Sequence, residues 1–426
     1  MYLGGSVLPD ADDYGLRWPG WQGALAAADV PATRHLHPLH APPQARDRLI
    51  IGDNLPAMKL LTDELQGAAR LIYIDPPYNT GRRHPYPDHF RMTLRQWRAA
   101  TGLQDDPAGL RHHTPWLSML APRLILARRL LHPDGVLFVS IDDFGVAHLR
   151  LLLDRIFGGS SFVASVVWQK VYAPKSTAKH FSQDHEHILV YAKNAAQWRP
   201  RLLPRTAAQD SRYRNLDGDL RGAWRGNNLA ARNSYSRGLY SITCPGGRVI
   251  PGPPPGSYWR MSSERLAELD ADGRIWWGES GNNVPAPKIY LSEVKPGRVP
   301  QTLWTYDAVG HTQEARNELQ ARVETLAGFR TPKPTRLIRR ILDIATEPDR
   351  GDLVLDFFAG SGTTGEAVWQ QNAADEGNRR FVLIQDAAPT RDPILPTVAD
   401  LARARLDAAA EAIEGAGGVA VIEVKP

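Results

Sequence analysis

The stretch Asp352–Gln370, DLVLDFFAGSGTTGEAVWQ, runs from a short apolar segment through a glycine-rich turn into an amphipathic one. Its first part reads as a buried strand and its last as a helix, because a bounded apolar run gives way to helical spacing. Gly360 and Gly362 let the backbone come close to a ligand, and a helix that starts there offers free amides and the positive end of its dipole. Alone, such an element fits a tight connection as well as a nucleotide-like site. It lacks the Gly-Lys-Ser/Thr ending that holds a triphosphate, which points to an adenosine cofactor rather than ATP.

Outward from this turn, strand and helix alternate. RLIIGDNLPAMKLL reads as strand, turn and helix, WLSMLAPRLILARRLLHPDG as a helix and GVLFVSID as a strand. TRLIRRILDIAT is helical and RRFVLIQ is a strand, so the pattern predicts a parallel sheet with helices on its faces. SFVASVVWQK and HEHILVYAKN are predicted to pair antiparallel. Residues 1–47 show no period and read as an irregular arm.

A second strand, in LIYIDPPYNTG (Leu71–Gly81), stops at an acid, two prolines and a tyrosine. In an open parallel sheet, ligands sit beyond the carboxyl ends of the strands, so Asp75–Tyr78 is predicted to share a crevice with the glycine turn. Pro76 and Pro77 stiffen the turn and donate no amide hydrogen, leaving carbonyls to accept from a ligand. Asp75 adds a charged acceptor and Tyr78 a stacking face. The plain alternative is a proline-terminated strand with a capping Asp; the presence of the glycine turn weighs against it.

With these motifs in place, the sequence resembles the amino-group DNA methyltransferases that use S-adenosylmethionine, in the permuted order of the beta class. The resemblance rests on DPPYNTG, FFAGSGTTG, IIGDNLPAMKLL, HEHILVYAKN, GHTQEA and TPKPTRLI, and extends to stretches similar to the modification subunits of type III restriction systems. It implies a Rossmann-like, circularly permuted α/β fold with a mixed seven-stranded sheet and an inserted target-recognition domain. The expected division is a catalytic half at 48–194, target recognition at 195–300 and a cofactor half at 301–426. Implied cofactor contacts are Asp53, Asp356, Phe358, Ala359, Gly360, Ser361, Gly362, Thr363, Thr331, Lys333 and Pro334. At the end of the next strand Gln385 precedes Asp386, and Asp386 is taken as the ribose acid. Asp75, Pro76, Pro77 and Tyr78 would be catalytic: Asp75 and the Pro76 carbonyl accept from an exocyclic amine, whose lone pair is otherwise delocalised into the base, and Tyr78 stacks on a base drawn out of the duplex. Asp at 75 favours adenine N6, with cytosine N4 the alternative; a catalytically silent DNA-binding protein and an RNA methyltransferase are the further readings. A homodimer and a separate restriction subunit are the implied protein partners.

The segment 195–300 is rich in Arg, Asn, Gly and Trp. Arg221, Trp224, Arg225, Asn227, Asn228, Arg232 and Tyr235 offer phosphate, base-edge and stacking groups for double-stranded DNA, as does Lys175 in KVYAPKS. For any single one, a solvated loop position is the plainer reading. The net charge of +5 suits a polyanionic partner. Cys244, the sole cysteine, excludes a disulfide and lies in ITCPGGR, outside the Pro-Cys setting of cytosine-C5 chemistry. An intracellular, cytoplasmic chain without a membrane span is expected. Histidines gather in RHLHPLH, at His112 and His113, and at His185 and His187, yet no third donor stands at metal-ligand spacing and methyl transfer from a sulfonium needs no metal, so none is expected.

Overall fold

The structure, a computed structural model, describes residues 15–80, 88, 90–106 and 109–426; residues 1–14 of the expected arm and Gly81 of the DPPYNTG motif lie outside them. Two compact units are present, Met1–Arg201 with Pro300–Pro426, and Leu202–Val299.

The larger unit is built on a single sheet. Its strands are β1 (His35–His40), β2 (Asp47–Ile51), β3 (Ala69–Ile74), β4 (Leu131–Ile141), β5 (Phe162–Gln169), β6 (His185–Ala192), β7 (Leu303–Trp304), β8 (Leu353–Asp356), β9 (Arg380–Gln385) and β10 (Val419–Lys425). They lie in the order β1-β10-β2-β9-β8-β3-β4-β6-β5-β7. The central strands are parallel, and β6 runs antiparallel to both β4 and β5. β3 and β8 are almost wholly buried, the continuous apolar pattern of strands covered on both faces. Although some 280 residues apart, they are neighbours, with Leu355 opposite Ile72. Their carboxyl ends, Asp356 and Ile74–Asp75, therefore open at one point.

Among the described residues the sheet has ten strands where seven were expected. The inner seven follow the expected mixed pattern; β1 and β10 extend one edge and the two-residue β7 the other. β7 is too short and β1 too polar to show a period, and all three form by pairing at the sheet's edges. The arm is likewise not irregular throughout: it contributes helix Trp21–Ala26 and β1, while Trp18 is buried and donates to Ser118 Oγ at 2.8 Å. Among the described residues no helix is long and apolar enough to cross a membrane.

Helices cover the sheet with their apolar faces inward. In helix Thr335–Ala345, Leu337, Ile338, Ile341 and Leu342 are fully buried while Arg336 is exposed. In helix Leu110–Leu130 the buried Trp116 donates its indole N–H to the Pro77 carbonyl at 2.7 Å, fixing the turn after β3 from outside. Asn79 sits at φ 60° beyond that turn; its side chain accepts from Phe90 N at 2.8 Å and donates to the His112 carbonyl at 2.7 Å. Asn tolerates this left-handed backbone better than other residues with a Cβ.

The unit Leu202–Val299 has its own small core around Leu229, Ile242, Cys244, Trp259, Leu266 and Ile275. Short antiparallel pairs frame it, including Trp224–Gly226 against Ala286–Tyr290.

Candidate active site

A cavity of about 340 Å³ opens beyond the carboxyl ends of β3, β8 and β9. The turn after β8 forms its floor: Phe358, Ala359, Gly360, Ser361 and Thr363 all line it, as does Asp356. Gly360 and Gly362 hold φ of 54° and 79°. A Cβ at Gly360 would stand 3.1 Å from the Phe329 ring, and one at Gly362 3.1 Å from the Ala402 carbonyl. Both glycines are thus required by conformation as well as by proximity. Asp356 is committed to the turn, accepting from Phe358 N at 3.0 Å and Thr364 Oγ1 at 2.5 Å. Helix Thr363–Asp375 starts at this floor. Gly362 supplies its cap and does not itself line the cavity.

Behind the turn lies a buried ion pair that sequence reading overlooked. Arg405, fully buried, donates to Glu366 at 2.6 Å and to Thr363 Oγ1 at 2.7 Å, and Arg322 reaches the same carboxylate at 2.9 Å. Removing one partner of such a pair strands a buried charge, whereas the pair itself adds little. Arg405→Ala is expected to cost about 3 kcal/mol in urea unfolding, with Arg322 limiting the loss, and Arg405→Ala/Glu366→Gln to recover part of it. Equal stability of Arg405→Ala and the parent chain would contradict this.

The cavity's far wall is Asp53, Asn54 and Arg123, with Gln385 and Asp386 beside it. Asp53 caps helix Asn54–Leu65 through Leu55 N at 3.0 Å and pairs with Arg123 at 2.8 Å. Arg123 also holds Asn54, which donates to the Phe357 carbonyl at 2.6 Å. Gln385 accepts from Gly360 N at 2.7 Å and donates to Asp386 Oδ1 at 2.8 Å, so the pair at the end of β9 divides its work: Gln385 braces the glycine turn and Asp386 faces the cavity.

At the opposite end stands Asp75. Tyr78 donates to its Oδ1 at 2.6 Å and Lys333 to its Oδ2 at 2.7 Å. Thr331 and Lys333 line the cavity, and Pro334 caps the helix that follows. Lys333 lies 3.3 Å from Glu186, which also accepts from Tyr78 at 3.1 Å and from Lys170 at 3.0 Å. Glu186 and Lys170 come from β6 and the end of β5. The available signal was an acid placed inside the apolar run HEHILVYA. Enclosure pushes the Asp75 carboxyl up although Lys333 opposes it, while Lys333 and Lys170 together hold Glu186 down against its burial. The Lys333 ammonium, despite burial, is held well above the ordinary lysine range by the two acids. The result is a compact network of two acids, two cations and one hydroxyl at the cavity's rim.

Burial pushes Asp356 up to about 7 and Asp47 up to about 6. A carboxyl whose folded value is raised binds protons more readily in the folded state, so its favourable effect is complete below about pH 4 and is lost as pH rises through the folded value. The ligand-free protein should therefore lose stability between about pH 5 and pH 8, and Asp356→Asn should flatten the loss, whose ceiling is about 4 kcal/mol. Urea midpoints of both proteins at pH 5 and pH 8 decide this: a difference between them that does not change with pH excludes Asp356 as the cause.

In the unit Leu202–Val299, two proposed DNA contacts are engaged by acids of the same unit, and of these Trp224 is buried while Arg221 is exposed. Trp224 is 3% exposed and donates to Asp217 at 2.8 Å, making it part of the interior; Arg221 is tied to Asp219 and Asp272 and lies 5.1 Å over the Tyr290 ring. Composition could not separate these from their neighbours, because an acid nearby in sequence does not show which arginine or indole it will engage. Arg225, Asn228 and Arg232 are exposed, Asn227 and Tyr235 half-buried, and Lys175 is exposed on the loop between β5 and β6. Cys244 is buried in this unit's core and belongs to no reactive group.

The fold also supplies the donor missing from the histidine spacing: Asp143 lies 2.9 Å from His187 and 3.6 Å from His185. A third donor is therefore present, contrary to the reading from spacing. His113 stacks on His148 at 3.8 Å, and β1 carries the RHLHPLH histidines on an exposed edge.

The chain is similar to known proteins. A family described as DNA methylase matches residues 69–385. The Mod subunit of the type III restriction-modification enzyme StyLTI from Salmonella typhimurium is 36% identical over 78% of this chain and 51% of its own length. The type II methyltransferase M.KpnI from Klebsiella pneumoniae is 31% identical over 80% of this chain and 81% of its own. Among solved structures, PvuII DNA methyltransferase (cytosine-N4-specific) aligns over 85% of this chain and 87% of its own, with a TM-score of 0.40 and 14% identity. The chain spans about half the length of the Salmonella Mod subunit that it matches.

Proposed function

Because the chain belongs to the N6/N4 DNA methylase family, we propose that it transfers a methyl group from S-adenosylmethionine to an exocyclic amine of a base in double-stranded DNA, with adenine N6 the favoured target. The observation that carries this reading is the approach of Asp75 to a glycine-turn cavity, made by two strands distant in sequence and adjacent in the sheet.

The cavity fits the cofactor by its donors: close backbone at Gly360, a helix start at Thr363, and acids at Asp53 and Asp386 on the far side. When bound there, S-adenosylmethionine supplies an electrophilic methyl on a sulfonium. Asp75 accepts a hydrogen from the base amine, favouring a nitrogen whose lone pair is available, and Tyr78 offers its ring to the base. Both Asp75 oxygens are occupied in this structure, so the amine must displace Tyr78 or Lys333. Glu186 can receive either one, at 3.1 Å and 3.3 Å. The proton that the amine sheds passes to this network and on to water. The exposed Arg225, Asn228 and Arg232 of the unit Leu202–Val299 are proposed to select the DNA sequence. The similarity to Mod subunits of type III restriction-modification enzymes supports a role in restriction-modification, with a separate restriction subunit as the proposed partner.

The deciding experiment incubates the protein with labelled S-adenosylmethionine and unmethylated duplex DNA, digests to nucleosides and identifies the product by mass spectrometry. N6-methyladenine is expected. N4-methylcytosine would keep the site and change the target base, and no labelled nucleoside would overturn the reading.

A further inference from the structure

The loop between β5 and β6 has no part in the cofactor cavity, yet it is rooted in the Asp75 network. Lys170, at its first end, bonds Glu186 just past its second, and Glu186 holds Tyr78. The loop is a closed hairpin: Lys170 N donates to the Asp184 carbonyl at 2.9 Å, and Lys175 N to Ser182 Oγ at 2.7 Å. Tyr172 braces one side, with ring centroids 5.6 Å from His311 and 6.3 Å from Tyr306. From Val171 to Gln183 it carries Lys175, Lys179 and His180 and no acid. On its returning arm, next to Ser182, Phe181 is 91% exposed.

A lone exposed phenylalanine needs no explanation. This one stands among cations on a braced hairpin, five residues from Glu186, so its Cα lies within about 17 Å of the site, or about five base steps. An exposed aromatic flanked by cations matches the requirements of an opened duplex: a π-face replaces the stacking lost when a base leaves, and cations meet the flanking phosphates. Resting on the methyltransferase reading above, we propose that the loop Lys170–Asp184 is a wedge whose Phe181 enters the base stack in the place of the extruded nucleotide, with Lys175 and Lys179 on the adjoining phosphates.

The test uses the full chain and a duplex carrying the site mapped by modification-sensitive sequencing of methylated plasmid. Phe181→Ala is expected to lower kcat/KM on the paired duplex by about 10- to 100-fold, as loss of one stacking contact implies. On a duplex whose target base is mismatched, the deficit should shrink to about threefold, because that base leaves its stack at less cost. Phe181→Trp should retain most activity on both, and the KM for S-adenosylmethionine should stay unchanged. A full rate on the paired duplex, or an equal deficit on both, overturns the wedge. Permanganate oxidation of unstacked thymines in the bound duplex gives a readout that needs no methyl transfer: the parent chain should expose them and Phe181→Ala should not, and equal reactivity again overturns the wedge. A parent chain that opens DNA without methylating it would overturn the methyltransferase reading and leave the wedge supported.

Discussion

Asp75→Ala is expected to lower methyl transfer to DNA by about 10³-fold or more while changing the dissociation constant for S-adenosylmethionine by less than about tenfold. The asymmetry follows from position. Asp75 is at one end of the cavity, whereas the glycine turn, Asp53 and Asp386 are elsewhere on its wall, so most of the cofactor's contacts survive. What disappears is an acceptor that matters chiefly as the amine nitrogen gains tetrahedral character. An interaction of that kind appears in kcat rather than in ground-state binding. The fold should tolerate the change, because Lys333 keeps Glu186 at 3.3 Å and is not left as an unpaired buried charge. Asp75→Asn separates the two contributions: it keeps the shape and one acceptor and loses the charge. Single-turnover rates together with calorimetric cofactor titration measure both quantities. Methylation retained by the Ala variant would remove Asp75 from the chemistry.

The reason this residue could be found without a structure is that its signal is local. A buried strand ending in Asp-Pro-Pro-Tyr and another ending in a glycine turn each announce a strand terminus, and parallel topology brings strand termini to the same side of a sheet. Lys170, Trp116 and Arg405 carry no such signal, and Glu186 only that of an acid inside an apolar run. Each gains its role from a partner far along the chain, as Glu186 does from Tyr78, 108 residues away, and spacing cannot report that. A different limit applies to Trp224 and Arg221. Among arginines and aromatics in an irregular segment, composition does not show which side chains meet Asp217, Asp219 and Asp272, or that Trp224 is the one that turns inward. The edge strands were missed for a different reason: β7 spans two residues and β1 is mostly exposed, so neither has the apolar period from which a strand is read.

Lys333 provides the sharper test of how the site works, because the resemblance and the geometry assign it different duties. If it only closes over the methionine end of the cofactor, Lys333→Met should raise the KM for S-adenosylmethionine and leave the pH dependence alone. The geometry assigns more. Without the ammonium, Asp75 and Glu186 remain as two enclosed carboxylates on one Tyr78 hydroxyl, at 2.6 Å and 3.1 Å. Like charges so placed cannot both stay ionised, so one takes up a proton. Asp75, already pushed up by its enclosure, loses its principal cationic partner. Transfer at pH 7 should then fall by about 10²-fold, the acid limb of the pH–rate profile should move to higher pH by at least about one unit, and activity should partly return near pH 9. Folding stability should drop by about 3 kcal/mol, the cost of breaking a buried ion pair. Lys333→Met/Glu186→Gln removes the competing carboxylate, and should move the acid limb back and recover part of the stability, a coupling that independent sites would not show. A Lys333→Met enzyme with the parent's acid limb and an elevated cofactor KM would return Lys333 to the cofactor and leave Glu186 as a structural partner of Tyr78.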